Sequence, residues 1–408
     1  MAEIPAQATQ QHVVSALPER LWDVVIVGAG PAGSVAAFYL ARDGHSVLLI
    51  DKERFPREKV CGDFLFTDII KFLRKTNFLD AIREVAHEVR SLVAYSPSGI
   101  CLNVPGEYLT LKRASFDQLL VRRAVDTGAS FIQGKVINVQ IVSDSKVIVS
   151  LAGLPIAIQT QICVLATGAN VSLANRLGLI SRKEPSAVAA RCYVRSKLDL
   201  DQVILSYDRS LIPGYGWIVP LGHNEFNVGC GIRYDCLIRR KHNIKKAFTN
   251  FLTAFPPARL LMESGEVISP FQGAALRCSL AGARSVLKDR VVMAGEAIGT
   301  TLPFTGEGVG TAIESGEIVA AVISEALRNK DITRLQKIPL RLIAEMKPKY
   351  KGYKLAEKWM SHRWLNDLVA WRISKSSFLY SQIQDFLSGN SNARTVYAPF
   401  RILQSFWK

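Results

Sequence analysis

The chain has 408 residues, 49% of them hydrophobic, and a formal charge of +16. That length and apolar content allow a large buried core and favour two domains. Seven scattered cysteines, odd in number and without a Cys-x-x-Cys pair, argue for reduced thiols in a cytosol-like compartment rather than a disulfide framework.

Residues 1–20 are polar and rich in Gln and Ala, and read as a loose arm. They lack the charged and apolar regions of a signal peptide. The nearly charge-free stretch 24–41 is long enough to pass for a membrane span. Its early glycines and proline make strand, turn and small-residue helix the better reading. No transmembrane helix is expected.

A strand at 23–27, a turn Gly28-Ala-Gly30-Pro-Ala-Gly33, a helix at 34–43 and a strand at 46–50 follow in order. In such a turn the first glycine permits the bend, the second lets backbone approach a pyrophosphate, and the third lets helix pack on strand. The helix start offers unpaired amides to an anion. Asp51 closes the second strand and is placed to accept from an adenosine ribose hydroxyl. That suits FAD or NAD rather than NADP.

Residues 54–66 form a loop holding Pro56, Cys61, Gly62 and Asp63, and 68–76 read as a helix. Residues 91–111 alternate weakly around Pro-Ser-Gly and Pro-Gly, as in a hairpin. A helix at 115–127 has Ser115 as its N-cap. Arg113 and Asp117 are spaced for a surface salt bridge. Residues 131–151 suggest antiparallel strands, and 161–166 a buried strand ending in Thr167-Gly168. Residues 186–233 are strand-rich. A helix at 244–255 is stopped by Pro256-Pro257.

A second glycine-rich stretch, Gly295-Glu296 through Pro303-x-x-Gly306-Glu307-Gly308, follows the apolar run Val291-Val-Met-Ala294 and precedes a helix at 310–328. Two such turns suggest one long dinucleotide held at two places, hence FAD and redox chemistry. No metal site is expected.

Residues 328–408 carry sixteen Lys/Arg against five Asp/Glu, and four of the six tryptophans, 359, 364, 371 and 407. This tail suits a partly buried helical cap with a solvated basic face. It equally suits contact with an anionic membrane surface or an acidic protein. No nucleic-acid partner is expected.

These motifs together resemble flavoproteins of the p-hydroxybenzoate-hydroxylase type and, more narrowly, the geranylgeranyl reductase family. The matching residues are Gly28 to Gly33, Asp51, Lys59-Val-Cys61-Gly62-Asp63, Arg113-x-x-x-Asp117, Ala166-Thr167-Gly168-Ala-Asn170, Tyr215-Gly-Trp217-Ile-Val-Pro220 and the second glycine stretch. The resemblance implies an α/β chain with a discontinuous Rossmann-like FAD-binding domain at 20–90, 112–180 and 276–330. An antiparallel-sheet substrate domain is inserted as a hairpin at 91–111 and a body at 181–275, and a helical cap occupies 331–408. It also implies FAD contacts from Pro31, Ala32, Lys52, Cys61, Gly62, Arg113, Val136, Ala166, Glu307 and Val309, beside the glycines and Asp51. Glu296 stands where Asp is usual, against a ribityl hydroxyl. Pro303 to Gly308 would face the isoalloxazine.

Cys61, Tyr215 and Trp217 are the implied catalytic and pocket residues. Val219 replaces the usual Phe of the Tyr-x-Trp-x-Phe-Pro motif, and Leu221 stands where Lys is frequent. The implied activity is reduction of C=C bonds in an apolar, prenyl-type substrate, with hydride from reduced flavin and a proton from water or a side chain. Electrons would come from NAD(P)H bound transiently or from a ferredoxin. The expected location is cytoplasmic, with the membrane periphery as a candidate. The alternative is a flavin-dependent monooxygenase or halogenase acting on a small aromatic or carrier-bound metabolite. A third reading is an electron-transferring flavoprotein docked through its basic tail.

Overall fold

The computed structural model describes residues 20–153, 157–239, 241, 243–391, 396 and 399–405. Residues 1–19 of the expected arm at 1–20, and Trp407, lie outside them.

Two sheets organise the chain. The first has five parallel strands in the order Val291–Met293, Ala157–Leu165, Leu21–Val27, Val47–Asp51 and Ser130–Gln133. Its central strands are apolar and buried along nearly their whole length, as parallel sheets covered on both faces require. The helix Pro31–Arg42 lies against the helix Val309–Arg328 on one face. They meet through small residues: a Cβ at Gly316 would come within 2.5 Å of the Ala32 carbonyl oxygen.

The second sheet has nine strands and is mostly antiparallel. It takes Phe64–Leu65, the hairpin His87–Tyr95 and Cys101–Thr110, and the strands from Ala187–Arg195 to Gln272–Leu276. One junction, Val203–Ser206 with His87–Tyr95, is parallel and joins the hairpin to the body. The outer face is covered by the helices Ile244–Ala254 and Pro256–Ser264, with Phe251 fully buried beneath.

Several elements differ from expectation. Ser130–Gln133 joins the parallel sheet, and only Val136–Ser143 and Lys146–Leu151 form an antiparallel excursion. β-Branched content does not report strand direction. The helix expected from Ser115 begins at Arg113, whose amide donates to Asp63 Oδ1 at 3.1 Å. A side chain fifty residues away thus supplies the cap that Ser115 was expected to give. Pro256-Pro257 ends one helix but also opens the next, at positions where a missing N–H costs nothing.

The tail is helical: Lys337–Met360, Arg363–Lys375, Ser377–Leu387 and Pro399–Gln404. Leu342, Met346 and Tyr350 belong to the parallel-sheet core, whereas Val369 and Ile373 pack with Leu102 and Tyr207 of the second sheet. The tail therefore braces both halves. Among the described residues, no helix is long and apolar enough to cross a membrane.

Candidate functional site

Between the two sheets lies a cavity of about 1680 Å³. Every candidate named from sequence borders it except Gly33. Ligand pockets typically measure roughly 300–1,000 Å³, so this one has room for a large cofactor together with a substrate.

The three glycines of the first turn have separable reasons. Gly28 sits at φ +105, and a Cβ there would come within 2.3 Å of the Ala166 carbonyl oxygen. A Cβ at Gly33 would lie 1.9 Å from the Gly28 carbonyl oxygen. These two are demanded by the protein's own packing. Among the described residues, a Cβ at Gly30 would meet only Arg57 Nη2, at 3.5 Å. Gly30 is also the N-cap of Pro31–Arg42 and gives it no side-chain cap. The space beside it is open to the cavity, at a helix end that favours anions.

Asp51 Oδ2 accepts from the Ala29 amide at 2.8 Å and Oδ1 from the Glu53 amide at 3.0 Å. The carboxylate is fixed, and its spare lone pairs border the cavity with Lys52. Val136 and the turn of Ala166, Thr167 and Gly168 form the neighbouring wall. Glu296 Oε1 accepts from the Arg277 amide at 3.2 Å, and its Oε2 lies 3.8 Å from where a Gly168 Cβ would stand. The extra methylene lets Glu296 span the gap between the Gly168 turn and Arg277. Arg113 and Asp117 do pair, at 2.7 and 2.8 Å, but as a buried bidentate contact rather than a surface one.

The opposite wall comes from the second sheet. On the strand Gly214–Pro220, Tyr215 and Trp217 share the cavity face, while Gly216 on the other face makes room for Phe251. Trp217 lies over Gly229, where a Cβ would come within 2.2 Å of its ring. The Tyr215 hydroxyl donates to the Thr305 carbonyl, tying the strand to the 303–308 turn.

A buried polar network missed by sequence reasoning joins these parts. Trp217 Nε1 donates to Asn227 Oδ1 at 2.8 Å. Asn227 Nδ2 donates to the Cys61 carbonyl at 2.8 Å and to Asp63 Oδ2 at 2.7 Å. The Tyr193 hydroxyl, on the residue paired across from Asn227, also donates to Asp63 Oδ2, at 2.8 Å. The signal available was a polar Asn inside the apolar run Phe226-Asn-Val-Gly-Cys230. Burial pushes the Cys61 thiol above its ordinary range, with Arg113 opposing, so it is protonated at neutral pH.

Burial also raises Asp63 from 3.8 to about 6, against the opposing hydrogen bonds from Tyr193 and Asn227. The folded state then binds more protons than the unfolded chain across this interval, so Asp63 makes stability fall as pH rises from 3.8 to about 6. Asp63→Asn, which keeps a residue type that tolerates φ of 59, is expected to flatten that part of the profile in thermal unfolding. An unchanged slope would refute the assignment.

The sequence profile of the lycopene cyclase protein family matches residues 23–353. A menaquinone reductase of Mycobacterium tuberculosis is 30% identical over 332 residues, covering 77% of this chain and 78% of that protein. The chain belongs to the geranylgeranyl reductase family of FAD-dependent reductases. A digeranylgeranylglycerophospholipid reductase of Methanopyrus kandleri is 27% identical over 331 residues, covering 76% of this chain and 82% of that one. Among solved structures, a geranylgeranyl bacteriochlorophyll reductase-like protein of Thermoplasma acidophilum superposes with a TM-score of 0.76 at 22% identity, covering 95% of this chain and 96% of its own. A flavin-dependent brominase gives the same score at 19% identity, over 95% and 98%. At those identities the two structures share the fold of this family and no more. As in other family members, the cofactor is FAD.

Proposed function

We propose that this chain reduces C=C bonds of an apolar, prenyl-type substrate. The single observation that carries the reading is the shared cavity. Its glycine-turn side suits a dinucleotide, and its Tyr215, Trp217, Val219, Val203 and Leu205 side is apolar.

In this reading Gly30 and the following helix start face the pyrophosphate, Asp51 the adenosine ribose, and Glu296 the ribityl chain. The backbone of 303–308 faces the flavin ring. FAD, when bound and reduced, supplies the hydride. The protein's part is to hold an alkene against that ring and keep water away, so that positioning lowers much of the barrier. Trp217 and Tyr215 form the wall, and the Asn227–Asp63 network fixes the loop of Cys61 and Gly62 opposite them.

The relatives named above as reductases of menaquinone and of a digeranylgeranyl lipid support this chemistry. A halogenase reading has the brominase fold in its favour. Against it, Tyr215-Gly-Trp217 keeps only the second tryptophan of the Trp-x-Trp-x-Ile-Pro pattern that halogenases carry. Mass spectrometry of the organic extract of purified protein is expected to find an isoprenoid. A co-purified aromatic metabolite without one would speak for the second reading.

Electrons would arrive from transient NAD(P)H or from an acidic ferredoxin, which the charge of +16 would attract. The tail also presents Trp364, Trp371 and Phe400 to solvent among its basic residues, which suits an anionic membrane surface. Each Lys or Arg near such a surface contributes about 1 kcal/mol, screened by salt. Sedimentation with anionic liposomes at low salt and release at high salt are expected. No sedimentation at either would remove the membrane role.

A further inference from the structure

Alkene reduction needs a proton as well as a hydride, and Cys61 and Tyr215 are poorly placed to renew one. The Tyr215 hydroxyl is committed to the Thr305 carbonyl. Behind Cys61 stand Asp63, Arg113 and Asp117, all buried and engaged with one another or with Tyr193 and Asn227. Among the described residues, the acids behind that thiol, Asp63 and Asp117, are both buried.

Glu307 differs. It lies in the turn expected against the flavin, and its backbone is pinned, its carbonyl accepting from the Leu302 amide at 2.8 Å. The residue is 7% exposed, and among the described residues Oε1 has no hydrogen-bond partner. The carboxyl is wedged over the next helix, since a Cβ at Gly310 would come within 2.6 Å of Oε1. Glu307 borders the large cavity and also a second, apolar one of about 230 Å³. Tyr215, Phe304 and Thr305 stand in the same shared wall.

Charged groups lead from Glu307 to solvent. Asp68 of the helix Thr67–Lys75, Glu314 of Val309–Arg328 and Lys349 of Lys337–Met360 face it, with Tyr215 and Tyr350 as the other titratable neighbours. Lys349 Nζ lies 2.9 Å from Glu314 Oε2 and 3.7 Å from Asp68 Oδ2. The Lys349 and Asp68 side chains are 36% and 40% exposed, so this cluster reaches water.

We propose that Glu307 is the proton donor of the reduction, recharged from solvent past Asp68, Glu314 and Lys349. The proposal rests on the alkene-reductase reading. The π bond opens as the hydride of reduced flavin forms one C–H bond with its two electrons. The Glu307 O–H bond breaks, and its proton forms the second C–H bond on the neighbouring carbon. The carboxylate left behind takes a proton from water. Burial, with repulsion from Asp68 and Glu314 outweighing attraction from Lys349, raises Glu307 to about 8. It is a carboxylic acid at neutral pH, with a proton to give.

The test joins two readouts on Glu307→Gln, which keeps the shape and removes the acid. Infrared titration of the FAD-loaded protein, without substrate, should show a protonated carboxylic-acid band that disappears near pH 8. The band should be absent from Glu307→Gln. Lys349→Met should move its midpoint upward, since the ammonium that holds it down is gone. In anaerobic single turnover with a geranylgeranyl lipid, the parental rate should fall as pH rises through the same midpoint. Glu307→Gln should retain FAD and reduce at least about a hundredfold more slowly, the usual scale of general-acid catalysis. Reduction at the parental rate in Glu307→Gln, or no carboxylic-acid band that it removes, would overturn the assignment. No alkene reduction by the parental protein would instead overturn the reading on which it rests.

Discussion

Gly30→Val is expected to yield a folded, colourless protein. The branched side chain points into the space beside the helix start, where, among the described residues, the nearest atom from elsewhere in the chain is Arg57 Nη2 at 3.5 Å from the Cβ position. Nothing in the protein's own packing resists it strongly. The pyrophosphate would, because the anion needs the backbone amides that the valine methyls would cover. Flavin content of the purified variant and its melting temperature without flavin separate the two effects. Near-complete loss of FAD with an apo melting temperature close to the parental apo value is the expected pair. Gly28→Val and Gly33→Val should fail differently, by misfolding, since their Cβ atoms would meet backbone oxygen at 2.3 and 1.9 Å. A yellow Gly30→Val protein would contradict the pyrophosphate assignment.

Trp217→Ala carries the second large effect. The ring is 6% exposed, lies over Gly229 and donates to Asn227. Removing it opens the cavity wall and leaves Asn227 Oδ1 without its donor. Truncating a buried Trp typically costs about 3–5 kcal/mol. The cost here should fall at the low end, because the ring already faces a cavity. Turnover should drop further than stability, since Asn227 also holds the Cys61 carbonyl and Asp63. FAD should stay bound, because the indole's own hydrogen bond goes to Asn227, and the strand's tie to the 303–308 turn is made by Tyr215, which the substitution leaves in place. Calorimetry, flavin content and turnover on one preparation check the three parts. Unaltered turnover would remove Trp217 from the substrate wall.

How much of this was legible in the sequence follows from what kind of fact each residue represents. Gly28, Gly30 and Gly33 were legible because a tight strand-to-helix turn constrains backbone, and glycine announces that constraint locally. Arg113 and Asp117 were legible as partners, since four residues bring them together on a helix. Their depth was not, because burial depends on what packs above them. Tyr193 and Asn227 gave almost no signal. They matter only through strand register, which places them opposite one another and beneath Asp63, far away in the chain. Glu307 was named for its backbone. The environment of its side chain comes from three helices that meet only in the fold. The cap at Arg113 failed for the same reason: Ser115 obeyed the local rule, and Asp63 arrived from elsewhere.

The central claim is that one cavity holds FAD beside an apolar substrate and reduces it. The most direct measurement is an anaerobic single turnover of the reduced protein with a geranylgeranyl lipid, following flavin absorbance and product mass together. The account predicts that the flavin reoxidises only when lipid is added and that the lipid gains two hydrogens per flavin. Flavin that stays reduced with every prenyl lipid, yet reoxidises in oxygen with addition of oxygen or halide to an aromatic compound, would contradict it.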